Sequence, residues 1–138
     1  MTMDPEASRE ERASMTFLAL GSQYYVHARY SIEYFYMPVS TILFHFALEM
    51  LLKGYLARTS SLDDLKEVGH KLTELWKLFK GNLRDASFDR YDLAIAQLDR
   101  VDRLRYPDAI IDEGYILHAG ISSPAPMQQF PGTEELPS

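Results

Sequence analysis

Residues 39–57 form a segment whose apolar side chains would cover almost the whole circumference of a helix. A helix without a polar face is stable only when other elements surround it. Its polar exceptions are spaced four residues apart and therefore fall on one line along the helix: Thr41, His45, Glu49 and Lys53. The segment predicts a central, buried helix with other helices packed around it.

Other parts of the chain show the three-and-four spacing of apolar residues that is typical of amphipathic helices. They lie at about residues 5–36, 62–68, 70–80 and 87–105, and residues 108–118 are compatible with one more short helix. Pro38 and Pro107 end two of these segments, because proline disfavours helical geometry in the residue before it. No stretch has the alternation of a strand. The pattern predicts an all-α fold, an up-and-down helical bundle of four to five helices.

The length of 138 residues fits a single domain. We assign residues 15–118 to the bundle. Residues 1–14 are rich in acidic side chains, and we expect them to be flexible and at most marginally helical. Residues 119–138 contain four prolines and no helical apolar pattern, so we expect a mobile tail that contributes little burial.

The charge balance and the absence of cysteine exclude several classes of function. Twenty acidic residues against 14 basic residues give a net charge of −6, which disfavours DNA as a partner. Without cysteine there are no disulfides, thiol nucleophiles or thiolate metal sites, and the composition fits a reducing compartment. The acidic N-terminus is unlike a secretory leader, and the apolar stretch 42–52 is too short and too polar for a membrane span. We therefore expect a soluble, cytoplasmic protein without a membrane partner.

The histidines offer no clear metal site. All four are scattered along the chain, and His45 with Glu49 supplies only two ligands. Neither a glycine-rich phosphate loop nor a nucleophile elbow is present. We expect no metal and no other cofactor.

The polar line on the central helix is the sharpest local feature. A buried, unpaired glutamate would cost several kcal/mol, so Glu49 must reach solvent at a groove or find a partner. His45 and Lys53 each lie four residues away and could pair with it. Two interpretations stay open: a structural network along a seam of the bundle, or a polar groove that binds a ligand or RNA.

Five of the nine tyrosines fall within residues 24–36. Tyr24 belongs to the apolar stripe of its helix, whereas His27, Tyr30 and Tyr34 lie on a different face. Exposed tyrosines beside a histidine suit a protein interface or base stacking, and the net negative charge favours the interface. The alternative is that these tyrosines cover other helices of the same chain.

Three segments of the chain resemble a HEPN domain, a family of helical bundles associated with nucleotides. They are residues 44–56 (FHFALEMLLKGYL), 68–76 (VGHKLTELW) and 104–108 (LRYPD). The resemblance extends over about residues 15–118. It implies a bundle of four or five helices that often dimerises.

Many HEPN domains are metal-independent ribonucleases with an Arg-x(4–6)-His motif, in which histidine moves a proton and arginine stabilises the phosphorane charge. This chain lacks the motif, because the nearest arginine before each histidine is too far away in sequence. The resemblance therefore implies a non-catalytic member that acts by binding a nucleotide, RNA or a partner protein. A nucleotidyltransferase partner in a two-component toxin–antitoxin or stress system would fit such a member.

For this binding role the ligand-binding candidates are His45, Glu49, Lys53, His70, Arg105 and Tyr106, and the interface candidates are His27, Tyr30 and Tyr34. No catalytic residue is assigned. Two alternatives stay open. One is a divergent ribonuclease whose site, drawn from His45, His70 and Arg105, is assembled in a dimer. The other is a scaffold that binds only proteins.

Overall fold

A computed structural model describes residues 8–102 and Asp108. Its helices are α1 (Arg9–Glu33), α2 (Met37–Leu56), α3 (Leu62–Val68), α4 (Leu72–Leu83) and α5 (Asp92–Arg100), with a 3₁₀ helix at Ala86–Tyr91 before α5. No strand occurs within this described part of the chain. The prediction of an all-α helical bundle is confirmed.

Helix α1 begins inside the helical pattern predicted at about residues 5–36. The helix begins at Arg9, within the segment 1–14 that we expected to be flexible. The Ser8 hydroxyl accepts a hydrogen bond from the Glu11 amide at 3.2 Å, and the Glu11 carboxylate accepts one from the Ser8 amide at 2.8 Å. This reciprocal capping box satisfies two amide groups at the helix end and so favours an early start. Residues 1–7, like the expected tail at 119–138, lie outside the described residues.

Helices α1 and α2 form an antiparallel hairpin in which small residues recur every seven positions. They are Ser14, Gly21 and Ala28 in α1, and Ser40, Ala47 and Gly54 in α2, and all are buried. The Ser14 hydroxyl donates to the carbonyl oxygen of Gly54 at 2.6 Å. The missing side chains of the two glycines let the helix backbones approach closely.

We expect Gly54→Ala to destabilise the protein by about 1 kcal/mol, although alanine favours a helix by ~1 kcal/mol over glycine. The new Cβ would lie 2.8 Å from Leu18 Cγ and 3.2 Å from the Leu18 backbone nitrogen, and such overpacking costs about 1–3 kcal/mol. The matched control is Gly81→Ala in α4, where a Cβ would meet nothing within 4 Å. Urea unfolding should show opposite signs for the two variants, and a gain of stability in both would refute the close approach.

The main core lies beside the C-terminal half of α2. Its buried members are Leu52, Leu56, Ala57, Leu65, Leu72, Leu75, Trp76 and Ile95. In the segment 70–80, Trp76 shares an apolar face with Leu72, Leu75 and Phe79, which predicts that it is buried against the second helix. Its place in this cluster confirms that prediction. Helix α2 is long and apolar enough to cross a membrane, but the core helix of a soluble protein can have the same length and composition. In this bundle, 44% of the apolar span of α2 is buried.

The segment predicted as one helix at 87–105 is divided. A 3₁₀ helix occupies its first part, capped by the Asp85 carboxylate, which accepts from the Ser87 amide at 2.9 Å. This capping bond holds the pKa of Asp85 below its usual value. The α-helical part ends at Arg100, and residues 103–107 lie outside the described residues. Phe88 of the 3₁₀ helix packs edge-to-face on Phe79 of α4, with ring centroids 5.7 Å apart.

Candidate functional site

The polar line on α2 takes part in hydrogen bonds in the protein interior, with Glu49 as their acceptor. Glu49 is fully buried, and its carboxylate accepts hydrogen bonds from Lys53 Nζ at 2.7 Å and from His70 Nδ1 at 2.9 Å. Lys53 is itself 7% exposed, whereas the His70 side chain is 59% exposed. Because carboxylate oxygens accept hydrogen bonds, Nδ1 of His70 carries a proton. Glu49 thus has two partners, Lys53 from its own helix and His70 from the turn before α4.

His45 lies against a different carboxylate. The residue is 1% exposed, and its Nε2 is 3.8 Å from Asp99 Oδ1 on α5. Asp99 also accepts hydrogen bonds from the Leu72 amide at 3.0 Å and the Thr73 hydroxyl at 2.9 Å. In the helical pattern at 87–105, Asp99 falls on the polar face, which predicts that it faces water. Instead it caps the first turn of α4 from another helix, which satisfies amide groups that the helix leaves unpaired.

Together these contacts form a polar network that joins α2, α4 and α5. The ligand-binding candidates within the described residues are His45, Glu49, Lys53 and His70, whereas Arg105 and Tyr106 lie outside them. Three of the four are buried, and the charges of Glu49 and Lys53 already neutralise each other. Only His70 offers an exposed side chain. The geometry favours the structural network over the ligand groove. Within residues 8–102, and counting Asp108, no three His, Asp or Glu side chains are grouped to hold a metal ion.

The interface candidates lie at the opposite end of the hairpin from the main core. His27, Tyr30 and Tyr34 are all exposed. His27 and Tyr30 line a groove of about 380 Å³ between α1 and α2. The Tyr30 and Tyr34 rings are 4.7 Å apart. A hydrogen bond with Tyr34, some desolvation and the nearby Glu33 charge raise the pKa of Tyr30 above its usual value.

Sequence reasoning missed the residues that complete this surface. The turn from α1 to α2 adds Phe35, Tyr36 and Val39, which are 79%, 61% and 53% exposed. We call the exposed group Tyr30, Tyr34, Phe35, Tyr36 and Val39 the aromatic tip. The Tyr34 and Tyr36 rings stack at 6.5 Å, which continues the row begun by Tyr30. The signal in the sequence is the run of three aromatic residues ahead of Pro38. Phe35 and Tyr36 fit the apolar stripe of the first helix, which predicts that they pack inward, and the structure shows instead that both are exposed.

A second apolar groove, of about 520 Å³, runs between α2 and α5. It is lined by Tyr25, Thr41, Phe44, Ala47, Leu48, Leu51, Ala94, Gln97, Leu98 and Val101. No Asp, Glu, Lys or Arg lines this groove among the described residues. The described lining therefore has none of the charged groups that would recognise a nucleotide.

Comparisons with protein families, with curated proteins and with solved structures found no match to this chain.

Proposed function

We propose that this chain is a non-catalytic, HEPN-like helical domain that acts by binding protein, and that the aromatic tip joins two copies of the chain. The observation that carries the proposal is the exposure of four aromatic side chains on one corner of the hairpin. Soluble monomers rarely expose contiguous apolar patches of this kind. Aromatic residues are enriched where proteins bind each other and often supply most of the binding energy.

The HEPN-like part of the proposal is supported by how two of the resembling segments meet. Glu49 belongs to the segment at 44–56, and His70 belongs to the segment at 68–76. Their side chains are hydrogen-bonded at 2.9 Å, so the polar residues of both segments serve one network. His45, Glu49 and Lys53 are buried in that network, which supports a non-catalytic domain rather than an exposed ribonuclease centre.

The charge distribution favours a second copy as the partner. The chain carries a net charge of −6, so two copies repel each other overall. Residues 34–48 contain no Asp, Glu, Lys or Arg, and their one histidine, His45, is buried. Two copies that meet at the aromatic tip bring no like charges together along this stretch. Its lack of cations also makes it a poor site for phosphate groups.

The test is analytical ultracentrifugation of the full chain over a range of concentrations. We expect a monomer–dimer equilibrium that Tyr34→Glu weakens at least about tenfold, equivalent to ~1.4 kcal/mol, because it desolvates two like charges in the interface. The matched control is Leu93→Glu, which places the same charge at a 71% exposed leucine of α5. Leu93→Glu should leave the dissociation constant of the dimer unchanged. A natural chain that stays monomeric, or equal losses in both variants, would contradict the proposal.

A further inference from the structure

Phe35 holds a backbone conformation that its side chain disfavours. Its φ is +59°, in the left-handed region, where the Cβ of an L-residue crowds the following carbonyl oxygen. The Phe35 amide donates to the Ile32 carbonyl at 3.1 Å, and the Tyr36 amide donates to the Ser31 carbonyl at 3.0 Å. This pair of bonds is the Schellman motif, and glycine usually occupies the left-handed position in it.

The side chain at this strained position is also turned outward. At 79% exposure, Phe35 is the most exposed of the large apolar residues in the described part of the chain. A glycine would relieve the strain, and a polar residue would relieve the exposure. Within one copy, phenylalanine therefore gains neither backbone stability nor burial at this position.

We infer that Phe35 is the anchor through which two copies of this chain bind, presented by the α1–α2 turn at the expense of the stability of the single copy. The inference rests on the proposed function. Residues held in such conformations cluster at functional sites, where the surrounding structure enforces them. The row of rings from Tyr30 through Tyr34 to Tyr36 flanks Phe35, and the tip carries no charge. A second phenylalanine or tyrosine from another copy can therefore pack against the uncharged side chains of the tip, with the charge of Glu33 lying close to Tyr30.

The test is Phe35→Gly, with two measurements that should move in opposite directions. Dimer dissociation, followed by ultracentrifugation, should weaken at least about tenfold. The melting temperature, measured on dilute protein that is mostly monomeric, should rise by about 2–4 °C because the strain is removed. Dilution matters because dimerisation itself would stabilise the natural protein.

The matched control is Arg84, the other described non-glycine residue with φ in the left-handed region, at +54°. It is exposed and follows α4, away from the aromatic tip. Arg84→Gly should raise the melting temperature like Phe35→Gly and leave dimer dissociation unchanged. Phe35→Asn, which tolerates the left-handed conformation but lacks a ring, should weaken the dimer as Phe35→Gly does.

Three results would overturn the inference. If Phe35→Gly leaves dissociation unchanged while Tyr34→Glu still weakens it, the proposed function stands and Phe35 is not its anchor. If Phe35→Gly lowers the melting temperature of the monomer, the ring packs within its own copy. If the natural chain never dimerises, the proposed function fails and the inference fails with it.

Discussion

Glu49→Gln is expected to lower the free energy of unfolding by about 3–5 kcal/mol, the usual cost of removing one partner from a buried ion pair. Glutamine keeps the shape of the side chain and can still accept a hydrogen bond. It removes the charge that balances Lys53, whose Nζ lies 2.7 Å from the carboxylate and which is 7% exposed. An ammonium group left in this interior has lost water without gaining a counter-charge.

The matched control for this prediction is Glu74→Gln in the surface pair Glu74–Lys77. That pair has a similar separation of 2.9 Å, but its side chains are 50% and 69% exposed. An exposed pair contributes at most about 1 kcal/mol, so this variant should change stability little. Urea unfolding followed by circular dichroism measures both. Equal losses at Glu49 and Glu74 would show that burial does not strengthen the α2 pair.

A double variant separates charge balance from packing. Glu49→Leu combined with Lys53→Met removes both charges and keeps apolar volume on α2. It should recover at least about half of the stability lost in Glu49→Gln, because well-packed apolar residues often replace a buried ion pair without loss. His70 loses its acceptor in this variant, but its side chain is 59% exposed and can bond to water. A double variant that is less stable than Glu49→Gln would mean that Glu49 does more than balance the charge of Lys53.

The sequence predicted the buried central helix because periodicity along one helix is a local property. It also predicted that Glu49 would need a partner, and Lys53, one of the two partners that it suggested, is confirmed. It could not identify His70, which lies 21 residues further along the chain. That contact depends on Gly69, whose φ of +65° ends α3 and redirects the chain into α4. A glycine directly after the segment 62–68 indicates a helix end in the sequence, but it does not show where the next residue lies in space.

Contacts between distant elements also explain why the sequence did not predict the role of Asp99 or the aromatic tip. Asp99 looked like a surface residue on its own helix, and only the approach of α5 to the start of α4 makes it a cap. The aromatic tip is exposed because the buried core cluster takes its α2 members from Leu52 onward. Apolar periodicity shows which face of a helix is apolar, but not how far along that face its neighbours reach.

Trp76→Ala is expected to lower the free energy of unfolding by about 3–5 kcal/mol, the range found for removing a large buried aromatic side chain. The indole stacks on Phe79 with centroids 5.3 Å apart and meets Phe88 edge-on at 6.1 Å. Its Nε1 donates to Asp92 Oδ1 at 2.7 Å. Alanine would leave a cavity between α4 and the 3₁₀ helix and remove a donor from that carboxylate.

The matched control is Leu78→Ala on the same helix, because Leu78 is 45% exposed. It should cost less than about 1 kcal/mol. Trp76 is the only tryptophan in the chain, so unfolding has to be followed by circular dichroism rather than by indole fluorescence. A loss below about 1 kcal/mol for Trp76→Ala would show that the aromatic cluster can collapse into the space.

Trp76→Phe separates the hydrogen bond from the packing through its pH dependence. Lys80 and then the indole donor hold the pKa of Asp92 below its ordinary value. A carboxyl with a lowered pKa stabilises the fold above its unfolded pKa, and that contribution is lost as the pH falls through the folded pKa. Phenylalanine keeps a ring but no donor, so the pKa of Asp92 should rise towards its ordinary value. Stability should then fall less steeply on acidification than in the natural protein, and an unchanged acid slope would show that Lys80 alone sets the pKa of Asp92.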